Sequence, residues 1–183
     1  MKITAFAGSN SSASINKKFL TWVTTLFNED EVEILDLNDY EMPIYKMDRE
    51  AKDGIPQLAH DFAAKIDGCD MLLISLPEHN GAYTTAFKNV FDWVSRIKGR
   101  KAFGGKPMLL MAVSDGGRGA ATVLDIATKR MPFSGGNVLE NFSFPKFYEN
   151  FKEGEGITES TLRAALLEKV ESAKKKMKDM RTM

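Results

Sequence analysis

A single cysteine, Cys69, stands in 183 residues, so neither an intramolecular disulfide nor a cysteine-rich metal site can form within the chain. The setting this predicts is reducing and cytoplasmic. An excess of one charge is missing too: Lys plus Arg and Asp plus Glu each number 25. That balance offers no electrostatic draw to nucleic acid or to an anionic membrane, so neither is expected as a partner. Long apolar runs are absent as well; none approaches the roughly 20 residues of a membrane span. The opening MKITAFAGS is too short in apolar residues for a signal peptide and reads as a first strand. Internal repeats, low-complexity tracts and linker-like stretches are lacking. With 43% hydrophobic and 27% charged residues, the chain reads as one soluble domain over residues 1–183, long enough to bury a core.

What is present is an alternation of short apolar runs and amphipathic stretches. Lys2 to Ala7 reads as strand one. Residues 16–28 place Phe19, Trp22, Val23, Leu26 and Phe27 on one helix face. Glu31 to Leu37 reads as strand two, and Met42 to Gly54, with Pro43, as a loop. Pro56 to Ile66 suits a helix with proline in its first turn. Asp70 to Leu76 (DMLLISL) and Pro107 to Val113 (PMLLMAV) are continuous apolar runs, as strands buried on both faces require. Between them, Thr85 to Lys98 predicts a helix with Phe87, Val90, Phe91, Val94 and Ile97 inward. Arg118 to Met131 predicts a helix, Val138 to Phe144 a final strand. After a Gly-containing loop, Thr158 or Ser160 can cap a last helix carrying Leu162, Leu166, Val170, Ala173 and Met177 on one side. The lysines at 174–176 and 178 read as the solvated end of that helix, complementing its dipole. Strands alternating with helices imply right-handed parallel crossovers and a three-layer α/β sandwich.

Open parallel sheets bind ligands beyond the C-terminal ends of their strands. Three such ends have unusual sequences here. After strand one, Gly8 to Asn16 carries six Ser or Asn residues at the start of a helix: Ser9, Asn10, Ser11, Ser12, Ser14 and Asn16. Free backbone N–H groups, including those of Ile15 and Asn16, the helix dipole and hydroxyls together suit a phosphate. Simple helix capping is the competing reading. Neither GxxxxGK[ST] nor GxGxxG is present. After strand three, Pro77, Glu78, His79, Asn80 and Gly81 form a tight loop able to bring backbone close to a flat ligand. His79 reads as a packing or stacking residue ahead of an acid–base one; Glu78 and Tyr83 read equally as solvent-facing or structural. After strand four, Ser114, Gly116 and Gly117 belong to a glycine-rich turn, SDGGRG, that permits close backbone approach.

These residues, in this order and spacing, resemble the NADPH-dependent FMN reductase family, a branch of the flavodoxin-like superfamily. That family's GSxRxxSxN is matched by Gly8, Ser9, Ser14 and Asn16. Its PxYNxxxxxxLKNxxDW is matched by Pro77, Asn80, Lys88, Asn89, Asp92 and Trp93. Its GKP, strand and SxGG turn are matched by Gly105, Lys106, Pro107, Ser114, Gly116 and Gly117. The match spans residues 1–140. Ser11 replaces the usual Arg, and His79 the usual Tyr; Lys17 or Lys18 is a possible substitute for the missing charge.

The resemblance implies a flavodoxin-like five-stranded parallel sheet in order 2-1-3-4-5, with FMN as cofactor and NADPH or NADH as hydride donor. FMN is implied over FAD because no second nucleotide-binding motif exists for an adenosine half. It places Ser9, Ser11, Ser14, Ile15, Asn16, Pro77, Glu78, His79, Asn80, Gly81, Ser114, Gly116 and Gly117 around the cofactor and assigns no catalytic side chain. The acceptor would be a small molecule: a quinone, free flavin, azo or nitro compound, or metal ion. Two other readings stand beside it, a flavodoxin-type electron carrier and a flavin-sequestering module without nicotinamide activity. A homodimer or homotetramer is expected, since the helix with Phe91, Trp93 and Val94 is apolar on more than one side; packing of that side under the segment at Met42 to Gly54 is the alternative.

Overall fold

The computed structural model describes residues 1–182. In chain order its elements are β1 (Lys2–Ala7), α1 (Ile15–Thr24), β2 (Glu31–Leu35), α2 (Met47–Asp53), α3 (Gln57–Asp67), β3 (Met71–Leu76), α4 (Thr85–Val94), β4 (Pro107–Val113), α5 (Ala121–Arg130), β5 (Asn137–Phe144), α6 (Phe147–Asn150), β6 (Phe151–Lys152), β7 (Gly156–Ile157) and α7 (Ser160–Arg181). The five long strands pair in parallel in the order β2-β1-β3-β4-β5, the flavodoxin-like order. No described helix is long and apolar enough to cross a membrane.

Strand alternation divides the core in two. Phe6, Leu72, Ile74, Leu76, Met108, Leu110 and Ala112 face one layer, with Phe62 of α3, Phe87 and Phe91 of α4, and Val123 of α5. Ile3, Ala5, Met71, Leu73, Leu109, Met111 and Val113 face the other, with Phe19 and Val23 of α1 and Leu166 and Val170 of α7. Both faces of β3 and β4 are covered, so their runs are apolar except at Ser75, whose buried hydroxyl is hydrogen-bonded to Asn16.

Several boundaries move for identifiable reasons. β2 stops at Leu35, because the Asp36 side chain accepts from Asn38 N–H at 3.0 Å and starts a 3₁₀ turn. α5 starts at Ala121 and not at Arg118, since Gly119 and Ala120 are left-handed (φ 59° and 55°). α4 ends at Val94 rather than Lys98. The cap of α7 is Glu159, whose carboxylate accepts from Thr161 and Leu162 N–H; neither Thr158 nor Ser160 serves. The segment at Met42 to Gly54 is not all loop: it holds α2, with acidic residues in its first turn and Gly54 at its C-cap. None of α2 is buried, so it shows no apolar periodicity. The lysines of α7 are not simply solvated. Lys176 Nζ reaches Leu139 O at 2.8 Å and Glu140 at 2.7 Å, and Lys169 Nζ reaches Glu140 at 2.9 Å.

The second apolar side of α4 is satisfied within the chain. Trp93 is fully buried, donates to Pro43 O at 2.7 Å and packs edge-on against Tyr45. Packing under the 42–54 segment, not a subunit contact, accounts for it.

Glu140 ties the edge strand β5 to α7 through Lys169, Ser172 and Lys176. Lys176 and Ser172 hold its carboxyl at about 2, against an ordinary value of 4.5. A depressed folded-state pKa adds stability that is present above the unfolded value and is lost as pH falls from about 4.5 toward about 2. Glu140→Gln should cost about 1–2 kcal/mol at pH 7, an estimate reduced because both lysines are partly exposed. Melting curves should show this deficit vanishing by pH 2; a deficit equal at pH 7 and pH 2 would rule the network out as its source.

Candidate functional site

The loops after β1, β3 and β4 meet at the C-terminal edge of the sheet, around a cavity of about 280 Å³. Ser9, Ser11, Ser14, Ile15 and Asn16 line it from the first loop, Pro77, Glu78 and His79 from the second, and Ser114 and Asp115 from the third. Asn80, Gly81, Gly116 and Gly117 lie outside the lining.

Local chemistry builds the first loop. Gly8 continues the sheet, donating to Ser75 O at 2.8 Å, and an added Cβ would meet Leu76 Cδ2 at 3.1 Å. Ser9 Oγ accepts from Ser11 N–H at 3.2 Å, Ser11 Oγ from Ala13 N–H at 3.3 Å, and Ser14 Oγ from Lys17 N–H at 3.2 Å as the N-cap of α1. Each hydroxyl uses its oxygen toward the loop and keeps its proton to donate. The N–H groups of Ile15 and Asn16 find no acceptor among the described residues, as expected in the first turn of a helix. Capping and anion binding are therefore compatible here: the same serines serve the helix and still present donors. The donor set fits a phosphate.

The Asn16 side chain does something the motif alone does not reveal. It is buried, donates from Nδ2 to Val113 O at 3.0 Å and accepts at Oδ1 from Ser75 Oγ at 2.7 Å. It thereby joins the start of α1 to the ends of β3 and β4. Its backbone N–H, not its side chain, is the group left for a ligand.

In the second loop, His79 and Ala82 exchange both backbone hydrogen bonds at 3.1 Å, with Asn80 and Gly81 at φ 52° and 76°. Two left-handed residues in a two-residue turn are the Asn-Gly geometry. Asn80 and Gly81 thus shape the turn that presents the exposed His79 at the cavity. Thr84 donates to Gly8 O at 2.6 Å and caps α4, locking this loop to the first. Glu78 turns its Oε2 to Val123 N–H at 3.0 Å, capping α5, whose own N-cap Ala120 has no side chain to do so. In the third loop, the Ser114 hydroxyl donates to Gly116 O at 3.1 Å, while Gly116 and Gly117 N–H groups have no acceptor among the described residues. The Tyr83 hydroxyl, in contrast, lies apart from the cavity; burial pushes its pKa up to about 12.

Lys17 and Lys18 do not supply the charge that Ser11 lacks. Lys17 pairs with Asp36, and Lys18 with Glu153 at 3.1 Å; both line a separate groove beside Trp22 and Phe151. One lining residue escaped the sequence reading: Tyr148 of α6, largely exposed, closes the cavity from a segment read as loop. Its signal was the aromatic run KFYENF, which has no strand or helix period.

Known proteins resemble this chain in sequence and in fold. The chain is 30% identical over 143 residues to a 2-hydroxy-1,4-benzoquinone reductase from a Burkholderia species, covering 72% of this chain and 76% of that protein. It is 28% identical over 124 residues to a quinone reductase of Escherichia coli (strain K12), covering 62% and 65%. Among solved structures, the flavoenzyme NAD(P)H:(acceptor) oxidoreductase FerB from Paracoccus denitrificans superposes with a TM-score of 0.77 at 22% identity, covering 95% of this chain and 97% of that one. The model of NADPH-dependent FMN reductases matches residues 1–149, which include every loop of the cavity, and the chain belongs to that family.

Proposed function

We propose that this FMN-dependent NAD(P)H oxidoreductase reduces a quinone-type acceptor, taking hydride from NADPH or NADH. The observation that carries the reading is the convergence of the three loops on one cavity whose first loop presents unspent hydroxyl and N–H donors. The names of the Burkholderia and Escherichia coli relatives point to quinones among the possible acceptors.

When bound, FMN supplies the hydride acceptance and donation. The chain's own work is placement. Ser9, Ser11, Ser14 and the N–H groups of Ile15 and Asn16 would hold the phosphate at the positive end of α1. Pro77 and the His79 turn form one wall, and the N–H groups of Gly116 and Gly117 offer donors at the other. Glu78 lines the cavity while capping α5, and Asn80–Gly81 shape the turn that carries His79. Hydride transfer through a flavin needs no protein acid or base, so no side chain is assigned to move a proton. Anaerobic mixing of the yellow holoprotein with NADPH should bleach the flavin absorbance, and added benzoquinone should restore it. A spectrum unmoved by both NADPH and NADH would refute the function and favour a carrier or flavin-sequestering role.

The same reading includes one domain over the chain, a cytoplasmic setting and a homodimer or homotetramer. Cys69 is buried and donates to Ile66 O at 3.2 Å, which suits a thiol with no disulfide role. The oligomer now rests on the exposed Ile44, Met47 and Phe133, not on α4. Sedimentation equilibrium should give a multiple of 20.4 kDa at micromolar concentration; a monomer there excludes it.

A further inference from the structure

The cavity is lined by two carboxylates, Glu78 and Asp115, and by no lysine or arginine. A nicotinamide dinucleotide brings a pyrophosphate, and NADPH a further phosphate, toward this mouth. Asp115 there repels it, and Glu78 does so in part, offset by Arg118 at 3.8 Å. Four cations stand on the segments framing the cavity. Three are committed to acids within hydrogen-bond reach: Lys17 to Asp36, Lys18 to Glu153 at 3.1 Å and Lys146 to Glu149 at 3.0 Å. The fourth, Arg118, is 84% exposed, and its nearest carboxylate oxygen, Glu78 Oε1, is 3.8 Å from Nη2, beyond a hydrogen bond. The N-terminus of α5 is no substitute, because Glu78 already occupies Val123 N–H.

Arg118 follows Gly116 and Gly117 in an exposed stretch and precedes Gly119, which is anchored by Ser143 Oγ donating to its carbonyl at 2.8 Å. The backbone beside Arg118 is thus anchored, and its exposed guanidinium, 3.8 Å from the lining residue Glu78, has N–H donors to spare. Guanidinium matches phosphate oxygens with paired, charge-assisted bonds. We propose that Arg118 is the specificity-determining residue through which this site takes hold of the phosphate groups of the nicotinamide dinucleotide. This rests on the oxidoreductase reading above. The flavin phosphate is the other source of the same chemistry, and it is assigned to the serine loop.

The test compares the holoproteins of wild type, Arg118→Gln, Arg118→Lys and Lys146→Gln. Two hydride donors are used: NADPH, and N-benzyl-1,4-dihydronicotinamide, which has the same reacting ring and no phosphate. Arg118→Gln should lower the preference for NADPH over the phosphate-free donor about tenfold, the lower end for a charge-assisted pair, through KM rather than kcat. Arg118→Lys should recover part of it. Titration of each holoprotein with NADP⁺ should show weaker binding and a shallower salt dependence in Arg118→Gln. Titration of the apo-proteins with FMN should give equal affinities. An unchanged donor preference overturns the proposal, as does a loss seen in Lys146→Gln but not in Arg118→Gln. A weakened FMN affinity with donor preference intact assigns Arg118 to the flavin phosphate and overturns it too. Failure of both donors to reduce the protein refutes the oxidoreductase reading instead, and unchanged NADP⁺ binding then refutes the role of Arg118.

Discussion

Alanine at both Ser9 and Ser14 should weaken FMN binding by about two to four orders of magnitude. A hydrogen bond to a charged group contributes about 1.5–3 kcal/mol, and tenfold in affinity is about 1.4 kcal/mol. The phosphate carries about −1.5 to −2 charge at neutral pH, so each lost donor is felt strongly. The two serines differ in what else they do. Ser14 is the N-cap of α1, and its loss should also cost about 1 kcal/mol of stability. Ser9 only braces Ser11 N–H within the loop, so Ser9→Ala alone should lower affinity with little effect on the melting temperature. Fluorescence titration of the apo-proteins, with melting curves alongside, separates the roles. An unchanged dissociation constant in the double variant, with a lowered melting temperature, would mean that the loop is a helix cap and nothing more. Ser11 brings no charge to compensate, and Lys17 and Lys18 are turned to Asp36 and Glu153, so the neutral donors carry the binding.

The second large effect is expected at Gly119. Its φ of 59° is left-handed, which costs an L side chain about 1–2 kcal/mol. An added Cβ would lie 2.3 Å from Ser143 Oγ, 3.0 Å from Pro145 N and 3.1 Å from Phe144 C. The hydroxyl can rotate, but the other two are backbone atoms at the end of β5 and cannot move without displacing the turn. Gly119→Ala should therefore destabilise by about 3 kcal/mol or more. It should also weaken FMN binding, because the Gly116 and Gly117 donors ride on that turn. Gly117 is the control: a Cβ there meets nothing within 4 Å, and Gly117→Ala should change stability by less than about 0.5 kcal/mol. Urea unfolding of the two variants, with FMN titration, decides the matter. Equal stability of the two would show that the β5 end yields easily and that the turn is not rigidly held.

The sequence by itself determined the layer plan and the three loops that meet at one edge of the sheet. Strands β3 and β4 are buried on both faces, so all their residues but Ser75 are apolar and the run is visible without partners. The amphipathic helices carry the same information in their 3.6-residue period. Ser9 to Asn16 is a local signal too, because helix N-terminal donors and hydroxyls act on their own neighbours.

Tertiary structure decided whatever depends on residues distant in the chain. α2 has no buried face and so leaves no period to read. The β6–β7 hairpin depends on Gly156, where a Cβ would fall 2.0 Å from the Trp22 ring: the indole leaves space only for a glycine contributed from far along the chain. Glu78 lines the cavity and has a second role that the sequence does not show: the left-handed Ala120 leaves α5 without a local cap, and a carboxylate 45 residues away supplies it. Asn16 keeps its backbone N–H at the cavity, while its side-chain amide bridges Ser75 and Val113, because the parallel order places the ends of β3 and β4 beside the start of α1. Charge followed the same rule. Composition counted 25 cations, but only folding showed which of them face an acid, since an ion pair is set by distance in space and leaves no spacing in the sequence.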